Sequence, residues 1–210
     1  MLLKTLILIC HIKMKLSKKK PIIVRGERMI KDDIARLLRK SNAMSDSKRN
    51  LQLLESKIIS EGWNNVPING IYGSSDRTMI HLAVQADVNG NFIDVIKYLI
   101  KNGININAKD SRGDTVLHYL SSGNTGCTDS QYDIAKLILD NGGDLSIFNN
   151  NNMTALRSTI KHSSDDYKLM RLFFKYKISD EALNDLKETA NIIGNSQVVE
   201  LISQRQADIS

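Results

Sequence analysis

The chain contains an internal repeat, and this repeat constrains its fold more strongly than any other feature of the sequence. Three segments align with one another, at residues 76–83, 113–120 and 152–159. Their shared threonines, Thr78, Thr115 and Thr154, are separated by 37 and 39 residues. Each segment is followed by a second apolar run at helical spacing, so every repeat predicts a pair of helices. One pair cannot bury its apolar face alone, which predicts a stack of pairs with a shared core.

Turn signals in the first two repeats agree with this arrangement. Thr78 and Thr115 follow a turn and precede an apolar run, so we expect each to begin a first helix as its N-terminal cap. Gly103 and Gly142 follow an asparagine and a second helix, which predicts left-handed stops. Gly113 lies in a tight hairpin, where we expect a positive φ angle. Each repeat is therefore predicted to run from a hairpin through two helices to a glycine stop.

At these residues the chain resembles the ankyrin repeat family, whose first helices open with a T-P-L-H-x-A signature. The residues that carry the repeat signature are Thr78, His81, Gly103, Gly113, Thr115, His118, Gly142 and Thr154. The resemblance implies an all-α fold, an ankyrin-repeat solenoid of stacked helix-turn-helix pairs with β-hairpin-like connecting loops. It also implies that each signature histidine bonds the threonine of its own repeat and neighbouring backbone, which is a structural role.

The chain departs from the family pattern in three ways. No proline follows the signature threonines, and Arg157 stands in the third repeat where the family has histidine. The first two repeats are also longer than the family period of about 33 residues. Their extra residues fall in polar loops between the two helices, where insertions cost little.

The repeats divide the chain into four regions. We expect the repeats at 63–177, N-terminal capping helices at 27–62 and a C-terminal capping helix pair at 178–210. Residues 1–26 form a basic tail, which we expect to be disordered or to include a start-site artefact, with translation beginning at Met14. The apolar run in this tail is shorter than the roughly twenty residues of a membrane-spanning helix, so no transmembrane segment is predicted.

Charge is unevenly distributed along the chain. Residues 1–60 carry fifteen basic and five acidic residues, whereas residues 61–210 carry fourteen basic and eighteen acidic residues. The net charge of +6 therefore describes the N-terminal region, and nucleic acid is not an expected partner of the folded body. In an alternative function, the basic region 13–49 tethers the chain to nucleic acid or anionic lipid, with binding that falls steeply with salt.

The sequence contains no recognisable catalytic or metal-binding pattern. Its two cysteines, Cys10 and Cys127, are far apart, and no His-x-x-x-His, Cys-x-x-Cys or glycine-rich phosphate loop occurs. We therefore predict no enzyme activity, no catalytic residue, no metal and no cofactor. An enzyme with an unfamiliar site would require Cys127, His118 and an acidic group to meet in space.

The resemblance implies that hairpin tips and first helices form a concave surface that binds another protein. The residues that we expect to contact this partner are Tyr72, Arg77, Lys109, Arg112 and Asn150. Aromatic and arginine side chains dominate protein-binding hot spots. We predict a monomer in the cytoplasm of its own cell or of a host, with an unidentified protein as partner. The chain also resembles ankyrin proteins of intracellular bacteria and large DNA viruses, which implies a host-directed effector as one expectation.

Overall fold

The structure is a computed structural model that describes residues 68–72, 74–87, 92–122, 127–161 and 167–209, together with the single positions Gln52 and Ser56. The predicted tail at 1–26 lies outside the described residues. The predicted capping helices at 27–62 also lie outside them, apart from those two single positions. The fold is therefore described for most of the repeat region and for the C-terminal helices.

Helices and loops make up the described residues. Eight α-helices occur in this part of the chain: α1 (Met79–Ala86), α2 (Ile93–Lys101), α3 (Val116–Ser121), α4 (Asp129–Asp140), α5 (Ala155–Ser158), α6 (Lys168–Phe173), α7 (Asp180–Ile192) and α8 (Ser196–Ile209). A 3-10 helix, Thr159–Lys161, directly follows α5. The described ranges contain no β-strand, and two isolated bridges, Tyr72 with Arg77 and Phe148 with Thr154, close hairpin-like loops. The predicted all-α fold with β-hairpin-like connections is confirmed.

The helices stack in two rows. α1 packs on α3, α3 on α5 and α5 on α7, so the first helices of successive units lie side by side. α2 and α4 pack against the first helices of their own repeats, α4 also contacts α6, and α8 packs against α7. Ile80, Leu117 and Leu156, which lie two positions after the signature threonines, are buried in the core between the rows. The predicted solenoid is therefore present across the described repeats.

Positive φ angles occur where the repeat pattern requires them. Asp76, Gly113 and Asn152 occupy the same hairpin position in the three repeats, with φ angles of 51°, 75° and 53°. Asparagine and aspartate tolerate this left-handed conformation better than other side chains. Gly103 and Gly142, with φ angles of 78° and 93°, follow the ends of α2 and α4. The conformations predicted for Gly113, Gly103 and Gly142 are confirmed.

Asparagine side chains connect successive hairpins. Asn69 Nδ2 donates to the Gly103 carbonyl at 3.2 Å, and Asn69 Oδ1 accepts from the Asn105 N–H at 2.6 Å. Asn107 makes the same pair of hydrogen bonds one repeat later, around Gly142, at 2.9 Å each. A primary amide suits this position because it offers both a donor and an acceptor.

The hairpin tips are also joined to one another through the backbone. The Ser111 N–H donates to the Ser75 carbonyl at 3.0 Å, and the Asn150 N–H donates to the Arg112 carbonyl at 2.9 Å. The packing is close, since a Cβ atom added at Gly113 would lie 2.6 Å from Asn150 Oδ1. Together the three tips form a continuous edge beside the first helices.

Candidate functional site

The two signature histidines link neighbouring repeats. His118 Nδ1 lies 2.9 Å from the Thr115 hydroxyl oxygen and accepts from the Thr115 N–H at 3.1 Å. Its Nε2 donates to the Met153 carbonyl at 3.0 Å, since a carbonyl can only accept. His81 makes the equivalent contacts one repeat earlier, with Nε2 donating to the Asp114 carbonyl at 3.2 Å. Each histidine thus joins the start of its own first helix to the next hairpin.

Both histidines are buried and neutral. Burial lowers the pKa of the His81 and His118 imidazoles below the ordinary value, because a charged ring would lose its hydration. Both ring nitrogens of His118 are engaged, so neither is available to take a proton from a thiol. The Cys127 sulfur instead lies 3.5 Å from the Thr128 carbonyl oxygen. This geometry does not favour an enzyme built on Cys127 and His118.

Two arginines contact one tyrosine on the first-helix side of the stack. The guanidinium carbon of Arg77 lies 6.0 Å from the centre of the Tyr119 ring, and that of Arg112 lies 5.6 Å from it. Contacts of this kind stabilise by about 0.5–1 kcal/mol at exposed sites. We call Arg77, Arg112 and Tyr119 the Arg–Tyr cluster. It combines residues from two successive repeats on one side of the molecule.

Arg112 and Tyr119 are held by carboxylates from the second hairpin. Arg112 lies 3.4 Å from Asp110 Oδ2 and 3.1 Å from Asp114 Oδ2, and the Tyr119 hydroxyl donates to Asp110 Oδ2 at 2.8 Å. Burial raises the pKa of Asp110, but hydrogen bonds from Tyr119 and from two backbone N–H groups outweigh it, so the pKa lies below its usual value. Asp110 is therefore a buried, ionised carboxylate that organises this hairpin.

A cleft of about 300 Å³ opens beside the Arg–Tyr cluster. Its lining includes Tyr119 and Arg112, together with Gln85 from α1, Asp87 and Gln131. Gln85 also accepts a hydrogen bond from Arg77 Nη1 at 2.7 Å, which connects the third member of the cluster to the cleft. The first-helix side therefore offers two guanidinium groups, an aromatic ring and a concave space in one place.

The structure brings together the side chains of only two of the five predicted contact residues. Arg77 and Arg112 meet at Tyr119. Lys109 and Asn150 are exposed, but both contribute to the hairpin edge: Lys109 Nζ donates to the Phe148 carbonyl at 2.9 Å, and Asn150 Nδ2 donates to the Ser111 carbonyl at 3.0 Å.

The prediction that Tyr72 offers its side chain to a partner is wrong. Tyr72 is only 1% exposed, and this burial raises the pKa of its phenol. Its backbone forms the bridge to Arg77 that closes the first hairpin. The ring supplies a large apolar area that packs into the core, so it stabilises the first repeat.

Sequence reasoning also missed two residues of the site, Tyr119 and Gln85. Tyr119 directly follows the signature histidine, and it is the one residue of α3 that is not buried. Gln85 is likewise the one exposed residue of α1. The helical periodicity of the sequence could have identified both residues, because each is a large or polar side chain on the open face of an otherwise buried helix.

The third repeat replaces the histidine contact with an ion pair. Arg157 Nη1 lies 2.9 Å from Asp185 Oδ1 of α7. Burial raises the pKa of the Asp185 carboxyl above its ordinary value, and the nearby Arg157 charge does not outweigh that effect. This junction is therefore built from charged side chains, whereas the two preceding junctions use neutral rings and backbone carbonyls.

No group of three or more histidine, cysteine, aspartate or glutamate residues in the described ranges is arranged to hold a metal ion. No helix among the same residues has the length and apolar character needed to span a bilayer.

A sequence model of ankyrin repeats in three copies matches residues 31–148 and, in an overlapping second match, residues 80–185. The chain belongs to the ankyrin repeat family. The matches extend beyond the three repeats into the predicted N-terminal cap and into α7. Ankyrin repeats form protein–protein interaction modules, and the family is generally non-catalytic.

Several viral ankyrin repeat proteins are similar to this chain. One from fowlpox virus (strain NVSL) is 31% identical over 91 residues, which is 43% of this chain and 20% of that protein. A second fowlpox virus protein is 32% identical over 98 residues, or 47% of this chain and 15% of that protein. One from Acanthamoeba polyphaga mimivirus is 38% identical over 80 residues, which is 38% of this chain and 9% of that protein. The similarity thus spans a fifth or less of these relatives.

Proposed function

We propose that this chain is a non-enzymatic module that binds a protein partner through its first-helix side, with the Arg–Tyr cluster at the centre of the contact. The observation that carries the proposal is the cluster itself, in which Arg77 and Arg112 meet the Tyr119 ring beside an open cleft. Arginine and tyrosine are enriched among the residues that contribute most to protein binding. Lys109 and Asn150 would contact the partner at the margin, along the hairpin edge.

The cluster is organised before any partner arrives. Asp110 and Asp114 hold Arg112, Asp110 holds the Tyr119 hydroxyl, and Gln85 holds Arg77. Side chains that are already fixed lose less conformational entropy on binding, which favours affinity. The same scaffold also spaces the two guanidinium groups, so a partner must match their separation.

The proposal is tested by affinity capture with the full chain as bait in a eukaryotic cell lysate, read out by mass spectrometry. The test variant is Arg77→Ala/Arg112→Ala. Its matched control, Lys97→Ala/Lys136→Ala, removes the same number of positive charges from α2 and α4. We expect the wild type and the control to recover a protein that the cluster variant loses, with all three chains unfolding cooperatively on heating.

Two results would contradict this proposal. One is retention of the captured protein by the Arg77→Ala/Arg112→Ala variant, which would place the binding surface elsewhere. The other is equal loss by the test and control variants, which would reduce the effect to net charge.

The viral origin of the similar proteins supports a narrower proposal, that the partner is a host protein and the chain a host-directed effector. A host protein should be recovered from uninfected cell lysate without any other viral component. Capture that requires lysate from infected cells would contradict this narrower proposal while leaving the binding surface unaffected.

The charge of the N-terminal region favours a second candidate function, an electrostatic tether to nucleic acid or anionic lipid. Residues 1–60 carry fifteen basic and only five acidic residues. This function predicts that the full chain binds duplex RNA or phosphatidylserine vesicles at low salt and releases them as salt rises. Deleting residues 1–26 should abolish that binding, and binding that survives the deletion would contradict it.

A further inference from the structure

We infer that the partner presents a carboxylate, from an aspartate or glutamate side chain, to Arg77 at the edge of the cleft. This inference rests on the proposed function and names the chemistry that the first-helix side recognises. It follows from the different surroundings of the two arginines in the Arg–Tyr cluster.

Arg77 is a half-buried cation whose hydrogen-bond acceptor and ring contact are both neutral. Its Nη1 donates to the Gln85 side-chain carbonyl at 2.7 Å, and its guanidinium carbon lies 6.0 Å from the Tyr119 ring centre. Its Nε is buried and has no hydrogen-bond partner among the described residues. Within the same ranges no carboxylate pairs with Arg77. A cation that loses hydration without gaining a counter-charge is costly to the fold, and a carboxylate would offset that cost.

Arg112 provides the internal contrast. It contacts the same ring, but two carboxylates, Asp110 at 3.4 Å and Asp114 at 3.1 Å, already neutralise it. An incoming anion would be repelled by these two aspartates at Arg112. At Arg77 it would meet a planar guanidinium group, a geometry that suits a carboxylate.

The surrounding charges favour a carboxylate over a phosphate group. Asp87 lines the cleft beside Gln85, and Asp110 and Asp114 lie on its Arg112 side. Attraction to Arg77 and repulsion from the three aspartates both scale with the charge of the anion, whereas the cost of removing the anion from water rises with the square of that charge. A phosphate of nearly two negative charges would therefore lose more hydration than one arginine can offset. Among the described residues no carboxylate pairs with Arg77, so its one positive charge is free to match a single carboxylate.

The experiment selects random twelve-residue peptides, displayed on phage, against the immobilised full chain. The test variant is Arg77→Glu, and the matched control is Lys136→Glu on α4. We expect the wild type and the control to enrich peptides with aspartate or glutamate at one fixed position. The Arg77→Glu chain should instead enrich lysine or arginine there, because the sign of the contact is reversed.

A synthetic peptide from the wild-type selection then measures the contact itself. Replacing its acidic residue by the amide should weaken binding to the wild type roughly tenfold to a hundredfold, as for a charge-assisted hydrogen bond. The same replacement should change binding to Arg77→Gln by much less, because this variant already lacks the charge that the acidic residue contacts. Arg77→Gln keeps a polar side chain without a charge, so the test stands even if Arg77→Glu fails to fold.

The inference is overturned if no peptide is enriched, if the enriched peptides have no acidic position, or if the acidic preference persists in Arg77→Glu and Arg77→Gln. It is also overturned if a phosphoserine peptide binds more than about tenfold more tightly than its glutamate counterpart. Peptides that are lost with Arg112→Ala but show no acidic preference would leave the proposed function standing. Peptides insensitive to every member of the cluster would contradict both.

Discussion

The junctions between repeats and the junction after the third repeat are built from different interactions. At the first two junctions a buried neutral histidine, His81 or His118, donates to a backbone carbonyl of the next repeat at 3.2 or 3.0 Å. At the third junction Arg157 occupies the histidine position and pairs with Asp185 of α7 at 2.9 Å. The first kind of contact depends on where the next hairpin places its backbone, whereas the second requires only a carboxylate within reach.

This difference explains where the chain can depart from the family pattern. A histidine that bonds a backbone carbonyl needs a hairpin of fixed geometry beyond it, and the two histidine junctions have hairpins joined by backbone hydrogen bonds. After the third repeat, α7 is joined through side chains, including a hydrogen bond from the Ser179 N–H to the Ser146 hydroxyl at 3.3 Å. The Arg–Tyr cluster lies at a histidine junction, where the Tyr119 ring packs 5.3 Å from the His81 ring.

Truncating the linking side chain to alanine should give the largest difference in stability between the two kinds of junction. His118→Ala leaves the buried Thr115 N–H without its acceptor, removes one of the two hydrogen bonds to the Met153 carbonyl, and creates a cavity. We expect it to lower the free energy of unfolding by about 3 kcal/mol. Arg157→Ala should lower the free energy of unfolding by only about 1–2 kcal/mol, because Asp185 is partly exposed and water can hydrate the carboxylate that loses its partner.

Urea denaturation of the full chain, followed by circular dichroism, measures both variants of this first pair. The difference between the junctions is contradicted if Arg157→Ala is the more destabilising of the two. Thr115→Ala provides a check on the histidine result, since it removes the hydroxyl contact at 2.9 Å but keeps the bond from His118 to Met153.

The ion pair at the third junction should be replaceable by apolar side chains. Burial raises the pKa of Asp185 even though Arg157 lies beside it. The attraction to Arg157 therefore does not offset the hydration that the carboxylate loses. Replacing a buried pair by apolar residues of similar size is often neutral or stabilising. We expect Arg157→Met/Asp185→Leu to unfold within about 1 kcal/mol of the wild type, and Arg157→Met alone to be the less stable chain.

Chemical denaturation of the double variant and both single variants forms a double-mutant cycle for this pair. A double variant that is no more stable than its less stable single parent would show that the charges themselves hold the junction. The corresponding change at a histidine junction has no apolar equivalent, because a backbone carbonyl cannot be replaced.

Most of the fold could be predicted from the sequence because a repeat presents the same evidence several times. The threonine caps, the glycine stops and the positive φ at Gly113 depend on local backbone geometry, which a few adjacent residues determine. The core positions Ile80, Leu117 and Leu156 follow from helical periodicity combined with the repeat register.

The candidate site was less predictable because it depends on contacts between repeats. Tyr72 lies in a hairpin, where a contact residue is expected, yet only the folded structure shows that its ring is buried in the core. Arg77 and Arg112 are 35 positions apart in the sequence, and they meet only because both contact Tyr119, which lies on α3 of the second repeat. Local signals identify which residues are polar, but the stacking of repeats decides which of them meet.

The two kinds of junction should respond to pH with opposite signs, and this is the smallest of the expected effects. Burial lowers the folded-state pKa of both His81 and His118. At His118 this effect of burial outweighs the opposite effect of the nearby Asp110 and Asp114 charges. The unfolded chain therefore binds protons first as the pH falls through about 6.5, so stability is lost below that pH. Asp185 has a raised folded-state pKa, so the folded chain binds its proton first and stability is gained as the pH falls through that value.

Comparing urea unfolding at pH 7 and pH 6 isolates the histidine effect, because that window lies above the ordinary aspartate range. We expect each histidine to account for less than about 1 kcal/mol of the stability lost between these two values. His118→Gln, which cannot take up a proton, should lose less stability over this interval than the wild type. Arg157→Gln, in the equivalent position of the third repeat, should lose the same amount as the wild type. An identical pH dependence in the wild type and His118→Gln would show that the His118 junction accepts a proton without cost, and the distinction between neutral and charged junctions would then fail.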